Sequence, residues 1–320
     1  MERGPIKPKV SFLMAAHNEE KFIDRALSAL SSNQYRDFEV LIGLDGCDDR
    51  TEEIVSRYLG DSRFKMFKLN IRSGKPAVIK NISKYAQGDL VWIHDADWYI
   101  EGEIGKVVDF FNSTIVGGIS RSFAHTFTQE RAVSCKSIPF LGEMWCTKFI
   151  MEFSNKESIN KLGVGFIGVA PLRMSFPIYT DVVTRDIFNF NGYDTAADDL
   201  ERTLDVFNAG KQVLILSDES YAHFHTSYDS QSFESIIRQK VRGHMANWQI
   251  HNKYKGYTPK PFRSNLIRYF ISNFNKIKGF RAKVGVLMWW VAAGVAMLES
   301  KKIYRQGVNT RDVWNYRMVR

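Results

Sequence analysis

The sequence predicts an α/β protein: a mainly parallel sheet flanked by helices, followed by a basic helical tail. Three observations point there. Short apolar runs alternate with helically spaced segments from Val10 to Ile93, the pattern of a parallel sheet with right-handed crossovers. The fourth run, Leu90 to His94, ends abruptly in two carboxylates, Asp95 and Asp97, one small residue apart. Charge is unevenly divided: residues 231–320 hold 18 Lys/Arg and 3 Asp/Glu, net +15, whereas 1–230 are net −6.

The elements follow in order. Val10 to Ala16 is a first strand running into His17-Asn18-Glu19-Glu20; Phe22, Ile23, Ala26, Leu27 and Leu30 then carry helical spacing. Phe38 to Leu44 is a second strand, ending in the turn-rich Asp45-Gly46-Cys47-Asp48-Asp49-Arg50, after which Thr51 starts a helix. A third strand, Phe64 to Leu69, precedes Gly74-Lys75 and a helix ending near Gly88. Ligands on such sheets sit beyond the strands' carboxyl ends, where Glu19, Asp45 and Asp95 all fall. Two acids at a strand tip suit Mg²⁺ or Mn²⁺ carrying a diphosphate, since such ions take a few carboxylates plus phosphate oxygens; a solvated turn is the plainer alternative. No GxGxxG follows the first strand and no GxxxxGK[ST] occurs, so dinucleotide and P-loop chemistry fit poorly.

At 44% hydrophobic and 25% charged, the 320 residues have the composition of a folded protein able to bury a full core. Cys47, Cys135 and Cys146 form neither a disulfide framework nor a CxxC pair, so a reducing compartment is expected. Met1 to Pro5 has no apolar run, and no signal peptide is expected.

Several motifs in register resemble family 2 glycosyltransferases of the GT-A fold: Ser11 to Glu20 (SFLMAAHNEE), Leu44 to Thr51 (LDGCDDRT), Gly74-Lys75 and Ile93 to Asp97 (IHDAD). Phe190 to Asp194 with Asp198-Asp199-Leu200-Glu201 is similar to the family's GGFDE…ED stretch, and Ala209 to Val213 to its AGY(K/R)V. Tyr221 to His225 resembles its HEH, and Arg238 to Arg242 its QxxR(W). The likeness runs over residues 9–245. Departures are Ala15 for Pro, His17 for Tyr, Asp198 for Glu, and Gly243 for the Trp expected after QxxR, the last of which argues against a processive polymerase.

The resemblance implies an inverting transferase that takes a sugar from a UDP- or GDP-type nucleotide-diphosphate sugar to a saccharide or lipid-linked acceptor. It implies Asp97 as ligand of Mg²⁺ or Mn²⁺, with Asp95 closer to the ribose. His223 and His225, at i and i+2, point the same way on a strand, so either could reach the metal; register favours His223, with His225 as the alternative and a hydrogen-bonded structural histidine as the plain reading. Asp198 and Asp199 open a helix with apolar positions Leu200, Leu204, Val206 and Phe207, where the macrodipole favours acids regardless of function. The resemblance assigns Asp199 as catalytic base and leaves Asp198 to contact the acceptor or orient the loop. Ala15, His17, Glu19 and Asp45 line the nucleotide end of the first two strands; Lys75 meets base or phosphate, or is ordinary surface charge. Arg242 would clamp the diphosphate, or else belongs to a basic helix face. Residues 119–186 are left to acceptor-facing elements, with Trp145 and Gly163–Gly168 as loop material and Arg121 and Arg185 unassigned.

Two regions are expected: a catalytic domain over 1–235 and a basic amphipathic helical region over 236–320. In the latter, Leu266, Ile267, Phe270, Ile271, Phe274, Ile277 and Phe280 form a helical stripe flanked by Arg and Lys, which reads as a membrane-surface element. Val284 to Leu298 is nearly uncharged but shorter than the ~20 residues of a spanning helix. Interfacial or re-entrant placement on the cytoplasmic membrane face is expected, against anionic lipid and not nucleic acid, since no RNP, KH or zinc pattern occurs. The alternative function is a catalytically inactive GT-A-fold protein that binds glycans or scaffolds a pathway.

Overall fold

The computed structural model describes residues 10–120, 136–154, 166–167, 180–193, 195, 197–215, 223–226, 232–254 and 264–306. β1 (Val10–Ala16), β2 (Phe38–Asp45), β3 (Phe64–Leu69) and β4 (Leu90–Ile93) are parallel, in the order β3-β2-β1-β4. The sheet continues through β8 (Thr180–Thr184), antiparallel to both β4 and β6 (Val116–Ser120), then through β9 (Gln212–Ile215) to β7 (Phe166–Ile167). A second, two-stranded sheet pairs β5 (Trp98–Glu101) with β10 (His223–Thr226).

The continuous apolar runs exist because helices cover both faces. Along β1, Val10, Phe12 and Met14 enter a core with α1 (Ile23–Ser32), α2 (Thr51–Ser56) and α4 (Ile104–Asp109). Leu13 faces the other way, toward α3 (Lys75–Ser83) and α6 (Asp198–Asn208). The α1 stripe is the one its spacing dictates: Ile23, Ala26, Leu27 and Leu30 are its buried residues.

A third core joins α5 (Ile138–Ser154), α7 (Phe233–Lys253), α8 (Ser264–Asn273) and α9 (Phe280–Arg305). Trp145, expected in a loop, sits in α5 and is 7% exposed. Arg121, Gly163 and Gly168 lie outside the described residues. The stripe expected over 262–283 does not run as one helix: α8 ends at Asn273, a 3₁₀ turn spans Phe274–Lys276, and Gly279 at φ 86° breaks the path before α9. Its residues divide accordingly, Phe270 and Ile277 into the core and Ile271 and Phe280 to the surface. The short apolar segment at Val284–Leu298 belongs to a helix of 26 residues, long and apolar enough to cross a membrane by length and composition.

α9 crosses α5 at backbone contact. A Cβ on Gly285 would lie 2.3 Å from the Ile138 carbonyl oxygen, and one on Gly142 would lie 2.0 Å from that of Gly285. Above this contact Glu143 takes Lys240 Nζ at 2.8 Å on Oε1 and the Trp289 indole N–H on Oε2. Gly285→Val is expected to lower stability by about 1–3 kcal/mol, because backbone on both sides cannot yield. Gly294→Ala on the open face of the same helix, with nothing within 4 Å, should instead gain about 1 kcal/mol. Urea unfolding of the two variants checks both signs.

Candidate active site

The loops after β1 and β2 are laced together. His17 donates from Nδ1 to the Asp45 carbonyl at 2.7 Å, and Asn18, at φ 57°, turns its amide onto Asp48. The Glu19 N–H donates to Thr51 Oγ1 at 2.8 Å, joining this loop to the start of α2. Ala15, part-buried near the end of β1, pairs in register with Gly43.

Asp45 is 3% exposed and builds the next loop. Its Oδ1 accepts the Ser73 N–H at 2.6 Å and its Oδ2 the Gly74 N–H at 2.8 Å. Gly74, at φ 84°, then turns the chain into α3, whose first residue is Lys75. Lys75 Nζ reaches Asp95 Oδ1 at 2.6 Å, beyond the end of β4. Burial works against the Lys75 charge, but Asp95 and Asp198 outweigh it and hold the ammonium well above its usual range.

Asp198, at the first turn of α6, is buried and pairs through Oδ2 with Arg202 Nη1 at 2.7 Å. Arg202 is 1% exposed and also donates from Nε to the Thr180 carbonyl at 2.8 Å. Burial would raise the Asp198 carboxyl, yet Lys75 and Arg202 hold it below the ordinary range. Asp95, Lys75, Asp198 and Arg202 thus form one line of alternating charge from the β4 tip to the α6 interior. Asp199, one residue on, is part-buried and accepts the Leu200 N–H on Oδ1 at 2.8 Å.

Glu19 stands against the other end. Burial, followed by the charges of Asp97, Asp95 and Asp49, pushes its carboxyl up to about 7. Four acids from three strand ends, Glu19 among them, are therefore close enough for their charges to interact. Among the described residues, no three His, Cys, Asp or Glu side chains close on one point as a fully protein-ligated ion needs. A carboxylate such as Asp97 is the type of oxygen ligand that a hard divalent cation takes when a diphosphate supplies others.

His223 and His225 lie on β10; their side chains are outside the described residues. β10 pairs with β5, the strand that leaves Asp97: His225 is opposite Tyr99 and His223 opposite Glu101. The register therefore sets His225, the alternative, nearer the Asp97 turn. Arg242 is on α7, part-buried. Two clefts, of about 650 Å³ beside Arg25 and Glu101 and about 760 Å³ beside Asp89 and Arg185, include none of Asp95, Lys75 or Asp198.

Sequence reasoning passed over Arg202 and Glu201. The Asp198/Arg202 i,i+4 spacing was the available signal. Glu201, fully buried, accepts the Thr195 N–H at 2.9 Å and Lys253 Nζ at 2.5 Å, tying the lead-in to α6 to the end of α7. Burial and the Glu201 charge push the nearby Asp205 up to about 6. A carboxyl raised in the folded state favours folding while protonated and opposes it as pH rises through about 6. Asp205→Asn is thus expected to gain stability relative to the parent between pH 4.5 and pH 8, read from melting midpoints at the two pH values.

A parallel sheet whose first four strands bring Glu19, Asp45, Lys75 and Asp95 to one edge, faced by the acidic start of a later helix, is the GT-A glycosyltransferase architecture. Residues 11–159, just under half of the chain, match the family model described as glycosyl transferase family 2. It is 29% identical over 113 residues to a poly-beta-1,6-N-acetyl-D-glucosamine synthase of Staphylococcus epidermidis, covering 35% of this chain and 27% of that protein. To the poly(ribitol-phosphate) beta-N-acetylglucosaminyltransferase TarS of Staphylococcus aureus it is 33% identical over 101 residues, covering 31% and 18%. The chain thus spans less than a third of either relative's length. Among solved structures, the mannosyltransferase PcManGT from Pyrobaculum calidifontis, in complex with GDP-Man and Mn²⁺, superposes with a TM-score of 0.56 at 15% identity, covering 95% of this chain and 80% of that one.

Proposed function

We propose that the protein transfers a sugar, with inversion, from a nucleoside diphosphate sugar to a hydroxyl of a saccharide or lipid-linked acceptor. The observation that carries this is the convergence of Asp95, Lys75 and Asp198 where the strands' carboxyl ends meet the start of α6. Asp199 accepts the proton as the acceptor oxygen attacks the anomeric carbon; the carbon–oxygen bond to the diphosphate breaks on the opposite face and the diphosphate leaves with the electron pair. Asp198 is a poor candidate for that base, because Lys75 and Arg202 stabilise its ionised form. It fixes the start of α6 so that Asp199 faces the acceptor.

Ala15, His17, Glu19 and Asp45 bound the nucleoside end, with Asp45 shaping the loop that presents Lys75. Asp97 would hold Mg²⁺ or Mn²⁺, with Asp95 toward the ribose and a histidine of β10 as a further ligand, His225 by register or His223. Bound there, the ion supplies positive charge against the leaving diphosphate. Arg242 is the proposed second cation for the diphosphate. The catalytic unit is 1–235, and 236–320 is the basic region that brings it to an anionic, cytoplasmic membrane face, with α5 as the floor on which the two meet.

The test is a thermal-shift panel of nucleoside diphosphates with and without Mn²⁺, since a ligand of the folded state raises its stability by mass action. A shift of about 2.7 kcal/mol in stability is expected at a hundredfold excess over Kd, for UDP or GDP and only with the metal. No shift with any nucleotide overturns the transferase reading in favour of a scaffold.

A further inference from the structure

We infer that α9 lies in the plane of an anionic bilayer surface, seated by Phe280, Leu287, Val291 and Leu298, and does not cross it. This rests on the membrane reading above and adds the face, the residues and the orientation. The four side chains are 82%, 57%, 58% and 66% exposed. Their spacings of 7, 4 and 7 residues put them on one stripe of a straight helix, and the 18 steps from Phe280 to Leu298 span about 27 Å. No charged residue falls between Val284 and Leu298.

The opposite side of α9 is taken. Val286, Trp289, Ala292, Ala296 and Ile303 are buried in the third core, and Gly285 touches the α5 backbone. Glu143, held by Lys240 and Trp289, joins α9 to α5 and α7. A spanning α9 would carry α7 with it, and Arg238, Lys240 and Arg242 would enter hydrocarbon, where such charges are strongly disfavoured. Lying flat, the helix buries only its open stripe.

Charge selects the occupant. Arg281 and Lys283 stand at one end of the stripe and Lys301, Lys302 and Arg305 at the other, all within a region of net +15. A second copy would meet these ends with the same sign; a lipid surface rich in anionic head groups complements them.

The test uses the full chain with phosphatidylcholine vesicles, with and without phosphatidylglycerol. Flotation with the anionic vesicles is expected to fall roughly tenfold or more in the Leu287→Glu/Val291→Glu variant, at an unchanged melting midpoint, since the stripe's buried apolar area sets the binding. Lys301→Glu/Lys302→Glu keeps the stripe and should lose the preference for phosphatidylglycerol. Cysteines placed at Lys278 and Lys302 should both react with an impermeant thiol reagent outside sealed vesicles, measured against the parent chain. Protection of one until the vesicles are lysed means a spanning helix and overturns the proposal. So does flotation that the stripe variant leaves intact, or a dimer that the same variant dissociates without changing flotation. If the parent chain floats with neither vesicle, the membrane reading itself falls.

Discussion

Asp199→Asn is expected to lower turnover by about 10²–10⁴-fold, the usual worth of a positioned general base. Nucleotide affinity and the melting midpoint should hardly move, because the side chain is part-buried and its Leu200 N–H contact survives in an amide. Asp198→Asn provides the contrast. It removes the charge that both Lys75 and Arg202 face, so a loss of stability should accompany any loss of rate. Turnover measured under saturating donor and acceptor, beside the melting curves, separates the two. An Asp199→Asn enzyme with parental turnover would place the base elsewhere.

The largest effect on stability is expected at Arg202. Arg202→Met is isosteric enough to avoid a large void, but leaves Asp198 buried with one cationic partner in place of two and the Thr180 carbonyl without its donor. Breaking a buried pair from one side typically lowers stability by about 3–5 kcal/mol, mostly through the charge left behind. Arg202→Met with Asp198→Leu should recover a large part of that loss, since removing both charges can be nearly neutral. Urea unfolding of the single and double variants is the measurement. A single-variant loss under about 1 kcal/mol would show that the pair carries little of the fold.

The strands at 10–16, 38–45 and 90–93 were legible because each is buried along its length and so reads as a largely apolar run ending in a polar loop, whereas the strand at 64–69, at the end of the sheet, is mostly part-buried and alternates Lys with apolar residues. Asp95, Lys75 and Asp198 could be nominated for the same reason: they follow such runs, or open a helix with clear spacing. What no local pattern carries is long-range pairing. Nothing near His223 announces a strand that pairs with Trp98–Glu101, and nothing near Thr180 announces an antiparallel insertion between β4 and β6. Asp45 illustrates a second gap. Its identity was readable, whereas its two bonds to the amides of Ser73 and Gly74 depend on how β2 and β3 align. At the tail, the end of α8 at Asn273, a 3₁₀ turn and a left-handed Gly279 divide what composition presented as a single stripe.

The line Asp95–Lys75–Asp198–Arg202 also bears on redesign. Donor preference would be sought at Lys75, yet that ammonium borders Asp198, so any replacement is felt inside α6 as well as at the ligand. Substitutions along it should be strongly epistatic: a change harmful alone becomes tolerable only with its compensating neighbour. Libraries that vary these four positions together will reach functional combinations that stepwise mutagenesis discards.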